Sequence, residues 1–90
     1  MKNEVVELIH DALQTLNLPS LVSYEDIKNQ YYLLSKRHHP DLNQEDSKMV
    51  EINEAYAVLK QYVFHYRFSF SDEEIMKQFP EASHASKFRF

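Results

Sequence analysis

The sequence predicts an all-α domain, and three observations carry that reading. The chain has no glycine, it has only three prolines, and its apolar residues recur at spacings of three and four through three successive segments. Few breakers leave little to interrupt a helix. Apolar residues spaced in this way line one side of a helix and supply the face that packs. Ninety residues make one small domain, which typically buries only about 60–65% of the surface its unfolded chain exposes. Stability must therefore come from close helix packing.

The first helix runs from Glu4 to Leu16, with Val6, Ile9, Leu13 and Leu16 as its stripe and Val5, Leu8 and Ala12 widening it. Asn17 is placed to stop it in the left-handed conformation, and Pro19 forbids its continuation. Ser23 is the N-cap of the second helix, with Asp26 three residues on completing a capping box. Glu25 and Asp26 also suit the positive end of the helix dipole. Ile27, Tyr31, Leu34 and His38 form the inward face; Lys28, Tyr32, Lys36 and His39 lie on an adjacent, outward one. Pro40 disfavours a helical His39, which ends the helix there.

A polar loop from Leu42 to about Ser47 leads to the third helix. Its stripe is Met49, Ile52, Ala55, Tyr56 and Leu59, extended by Val63 and Tyr66, while Glu51 and Glu54 face solvent. Helices two and three, joined by a short loop, pack as an antiparallel hairpin. The stretch from Tyr62 to Phe70 alternates aromatics like a strand but has no partner strand. Its first half reads as the end of helix three, and the rest as an extended, aromatic-anchored connection. Ser71 and Glu74 form a second capping box, opening a short helix through Ile75, Met76 and Phe79 to Pro80. Residues 1–80 thus form the domain, and residues 81–90 read as an unpatterned, frayed tail.

Composition excludes several function classes. Without cysteine there is no disulfide framework, thiolate metal site or cysteine nucleophile. A net charge of −4 argues against broad nucleic-acid binding. No apolar run reaches the length of a membrane span, and charges follow Met1-Lys2-Asn3-Glu4 too soon for a secretory signal. The expectation is a soluble cytoplasmic monomer that is not an enzyme. No two histidines share a helix face at ligand spacing, so no metal site or cofactor is expected. His38 reads as a packed helix residue; His10, His65 and His84 read as solvated.

The sequence His39-Pro40-Asp41 carries the functional signal, because of what flanks it. Upstream stand Ile27-Lys28, Tyr31, Leu34 and His38; downstream stand Asn43, Glu51-Ile52-Asn53-Glu54-Ala55-Tyr56 and Leu59. In this order and register the chain resembles the J domain of DnaJ-type co-chaperones over roughly residues 12–62. Leu13 to Leu18 resembles that family's first-helix ending, with Asn17 where glycine is usual. The resemblance implies the J-domain fold, an antiparallel hairpin with a packed first helix and a short C-terminal helix. It also implies a co-chaperone that binds a DnaK-class chaperone, stimulates ATP hydrolysis by it and promotes capture of client proteins. By the same resemblance, His39, Pro40 and Asp41 are the essential contact, with Lys28, Tyr31, Lys36 and Arg37 as the flanking surface. Physical chemistry suits those roles. Pro40 stiffens the turn and lowers the ordering cost of binding, Asp41 can accept charge-assisted hydrogen bonds, and a basic face steers association.

Departures from the family pattern bear on the strength of that activity. Tyr32 and Leu33 stand where many members carry two basic residues, which thins the positive surface and leaves a J-like interaction module without ATPase stimulation as the alternative. The loop from Asp41 to Met49 is shorter than in common members by about four residues, close to one helical turn. The usual basic fourth-helix motif is absent after Leu59. The chain reads as a minimal J-domain-only protein or an excised J domain. The first helix starts about two turns earlier than in the family, bringing Val5, Val6, Leu8 and Ile9, and the tail brings Phe64, Phe68, Phe70, Ile75 and Phe79. This apolar surface is expected to pack on the hairpin near Leu33 and enlarge the core.

Overall fold

The computed structural model describes residues 3–38 and 48–79. Among them are four helices: α1 (Glu4–Thr15), α2 (Tyr24–Arg37), α3 (Lys48–Phe64) and α4 (Asp72–Gln78). No strand occurs among the described residues.

Local chemistry sets the helix ends. Asn3 caps α1, its Oδ1 accepting the N–H groups of Val5 and Val6 at 2.9 and 3.3 Å. At the other end, Asn17 takes φ 56°, the left-handed conformation that asparagine tolerates better than most residues. The Asn17 N–H reaches the Gln14 carbonyl (3.0 Å) and the Leu18 N–H reaches Leu13 (2.8 Å). These are the paired bonds of a Schellman ending. The capping box of α2 is complete: Ser23 Oγ accepts the Asp26 N–H, and Asp26 Oδ2 accepts the Ser23 N–H, both at 3.1 Å. The second box is half made. Ser71 Oγ accepts the Glu74 N–H (3.3 Å), but the Ser71 N–H donates to Ser69 Oγ instead.

Helix α3 packs against both α1 and α2. The core consists of Ala12 and Leu16 from α1 and its cap, Ile27 and Leu34 from α2, and Ile52, Ala55 and Leu59 from α3. Leu16 is fully buried. Ile9, Leu13, Val22, Met49 and Val63 pack around this cluster, so the stripes read from the sequence form the core except at Val6 and Tyr66, which are exposed.

Three expectations need correction. Helix α3 ends at Phe64, two residues before Tyr66, whose N–H turns back to the Val63 carbonyl. The rings beyond it do not anchor the connection: Phe68 and Phe70 are 70% and 81% exposed. The terminal extensions add little to the core: Ile9 packs against it and Phe64 meets Tyr24, but most of the rest stays in solvent. Val5, Val6, Leu8, Leu33, Phe64, Ile75 and Phe79 are all exposed, and α4 buries no residue and packs on no other helix. Seven residues give α4 too little apolar area to offset the cost of docking a short, strongly acidic helix. A furrow of ≈ 360 Å³ runs beside the first turns of α1, lined by Val5, Val6, Ile9, Val22 and Val63 among others. No helix among the described residues is long and apolar enough to cross a membrane.

Candidate partner-binding surface

The surface is built on α2. Its capping box fixes the start, and the helix then presents Lys28, Tyr32 and Lys36 at spacings of four on one side. Lys36 and Arg37 occupy the last turn, where cations suit the negative end of the dipole. Both are exposed, and Lys28 is half-buried, which a long aliphatic chain permits while its charged head stays solvated. The helix closes at His38, whose N–H bonds to the Leu34 carbonyl and whose ring is half-buried. His39, Pro40 and Asp41 follow immediately and lie outside the described residues, as do the loop from Leu42 to Ser47 and the tail from Pro80. His10 and His65 are exposed, and the described residues hold no cluster of potential metal ligands.

Tyr31 has a more specific place than its motif position suggests. Its ring stacks on Tyr56 of α3, with centroids 4.1 Å apart and planes 10° from parallel. Its hydroxyl donates to Asn53 Oδ1 at 2.7 Å. The hydroxyl of Tyr56 shares a 2.9 Å hydrogen bond with that of Tyr24, and the Tyr24 ring lies 5.1 Å from Phe64. Lys60 Nζ sits over the rings of Tyr56 and Phe64, 6.0 and 5.6 Å from their centroids, within cation–π range. These residues clamp the hairpin along its length. The hydrogen bond from Tyr24, together with burial and the neighbouring phenols, pushes the Tyr56 hydroxyl up from 10.0 to about 12.

Sequence reading placed Tyr31 and Tyr56 inward but missed Tyr24, Asn53, Lys60 and Phe64. A signal was present in the spacing. Asn53, Tyr56, Lys60 and Phe64 fall at i, i+3, i+7 and i+11, a single helix face that borders the apolar stripe and shares Tyr56 with it. Ser35 Oγ is buried without a partner among the described residues.

Comparison with known proteins decides the family. The DnaJ domain family model matches residues 11–63. The chain belongs to the DnaJ domain family. Over 78 residues it is 38% identical to the chaperone protein DnaJ of Methanosarcina acetivorans and 37% identical to that of Macrococcus caseolyticus, in each case covering 83% of this chain and 18% of the relative. A mitochondrial DnaJ homologue of Drosophila melanogaster is 43% identical over 56 residues, which is 58% of this chain and 11% of that protein. The chain therefore spans less than a fifth of the length of these curated relatives. No solved structure matches at the same level of significance. The DnaJ match starts at residue 11 and α1 at Glu4, so the first turns of α1 precede the segment that the family model matches.

Proposed function

We propose that this chain is a co-chaperone that binds a DnaK-class chaperone through α2 and the His39-Pro40-Asp41 turn, stimulates its ATP hydrolysis and thereby promotes client capture. One observation carries the reading: within the DnaJ-matched segment, exposed Lys36 and Arg37 in the last turn of α2 lead directly into the tripeptide. A cationic surface of this kind orients an acidic partner and speeds encounter. Tyr31, held by Tyr56 and Asn53, fixes the helix that carries these charges. The protein performs no chemistry of its own in this scheme. Single-turnover ATP hydrolysis by a DnaK-class chaperone tests it, with the parent chain and with His39→Gln. Acceleration by the parent and its loss in the variant are expected, and no acceleration by the parent would refute the proposal.

A second reading has its own support. Tyr32 and Leu33 expose 53% and 46% of their surface where the family commonly places cations, which favours an interaction module without stimulation. In that case the parent would bind the chaperone and leave its hydrolysis rate unchanged.

A further inference from the structure

We propose that two copies of this chain pair through the seam between α1 and α3, antiparallel about a two-fold axis passing close to Val58. The inference is independent of the chaperone reading, since the seam lies on the side of α3 turned away from Tyr56 and Lys60, and hence from the α2 cations.

Two connected depressions run along this seam. One, of ≈ 650 Å³, is lined by Val5, Leu8, Val58, Tyr62, His65 and Arg67, among others. The next, of ≈ 220 Å³, shares Leu8 and Val58 with it and continues past Ala12 to Asp11, Glu51 and Glu54. The strip has an apolar centre, a carboxylate-rich end, and an end bearing Arg67 and His65. Its centre is left open to solvent: Val5, Leu8, Tyr62 and Tyr66 are 63%, 55%, 49% and 50% exposed. Contiguous apolar surface of this kind on a small domain marks an interaction site.

Charge order selects the occupant. A two-fold interface sets residue i against j and j against i, so a strip that is acidic at one end and basic at the other complements itself when reversed. The spacing on α3 fits that operation. Glu51 lies seven residues before Val58 and His65 seven after, while Glu54 and Tyr62 lie four before and four after. An axis at Val58 therefore brings Glu51 of one copy to His65 and Arg67 of the other, and Glu54 to the Tyr62 hydroxyl, which can donate to it. Glu51, Glu54, Val58 and Gln61 repeat at three and four and so share one side of α3, with His65 just past its end. The contact is about 20 Å long at the helical rise per residue. Glu51, Glu54 and Arg67 are all exposed and so accessible to a second copy.

Sedimentation of the full chain from micromolar to millimolar concentration tests the pairing, with circular dichroism confirming equal helicity in every variant. The parent should show a monomer–dimer equilibrium. Glu51→Arg and Arg67→Glu should each weaken it about tenfold, because each reversal places two repelling pairs in the symmetric interface. The double reversal should restore it, and Val58→Glu should abolish it. A parent that stays monomeric to millimolar concentration would overturn the proposal. So would a dimer indifferent to both reversals, or a double variant that fails to recover.

Discussion

The α2–α3 seam and the stretch from Tyr66 to Phe79 are both rich in aromatic rings, and they use them in opposite ways. In the seam, Tyr31 stacks on Tyr56, Tyr24 and Tyr56 join hydroxyls, and Asn53 accepts from Tyr31. In the later stretch, Tyr66 and Phe68 touch edge to face, yet both remain exposed, with Phe70 more so. Aromatic content alone does not make a core. A ring is buried when helical spacing points it at another element and, for tyrosine, when a partner receives its hydroxyl. Alternation at every second position needs a second strand or a facing layer, and the described residues offer neither. The core beneath the seam sets the upper end of the comparison. Leu16→Ala, at the fully buried junction of α1 with α3, should cost about 3 kcal/mol by denaturant unfolding. A loss below 1 kcal/mol would mean that the first helix is not held by this residue.

The tyrosine clamp should contribute less, and its share is separable by pH. Tyr56→Phe keeps the ring stack but removes the hydroxyl, and should cost about 1 kcal/mol near neutral pH. The phenol of Tyr56 is raised from 10.0 to about 12 in the folded chain. A raised folded value means that the protonated form is favoured by folding. The resulting stability is complete below pH 10 and is lost as pH rises through about 12. The parent should therefore lose stability over that window more steeply than Tyr56→Phe, as read by unfolding at a series of pH values. Tyrosinate absorbance of the parent should show a phenol ionising near 12 that Tyr56→Phe lacks. Parallel stability curves for the two proteins would show that the hydroxyl pair is not formed in solution.

Much of this architecture was legible in the sequence because it depends on near neighbours. Ser23 with Asp26 named the start of α2, Asn17 the end of α1, and Pro40 the stop near His38, each through bonds or clashes within a few residues. The core stripes were legible for the same reason, since helical period fixes them before any packing is known. The Tyr24–Tyr56 pair was not, because it depends on the register of α2 against α3, which no local pattern specifies. The start of α1 at Glu4 was legible, but the burial of its first turns was over-read: Val5, Val6 and Leu8 continue the apolar period, yet no element among the described residues covers them. For the candidate site, the motif His39-Pro40-Asp41 and its flanking cations were readable from residue type and order. The engagement of Tyr31 by Asn53 was not, being another contact across the hairpin.

The lower end of the comparison is the prediction most able to reverse it. Phe68 and Phe70 expose 70% and 81% of their surface, so replacing both with serine removes almost no buried apolar area. The double variant Phe68→Ser/Phe70→Ser should unfold within about 0.5 kcal/mol of the parent, the range of ordinary surface substitutions. Deletion of the same rings from a packed core would cost several kcal/mol by cavity formation and lost transfer energy. The two outcomes are therefore well separated in a thermal or denaturant melt of the full chain. A loss above about 1.5 kcal/mol, the value of burying a single large apolar side chain, would mean that the aromatic connection folds back onto the helices. The contrast with the α2–α3 seam would then be one of degree.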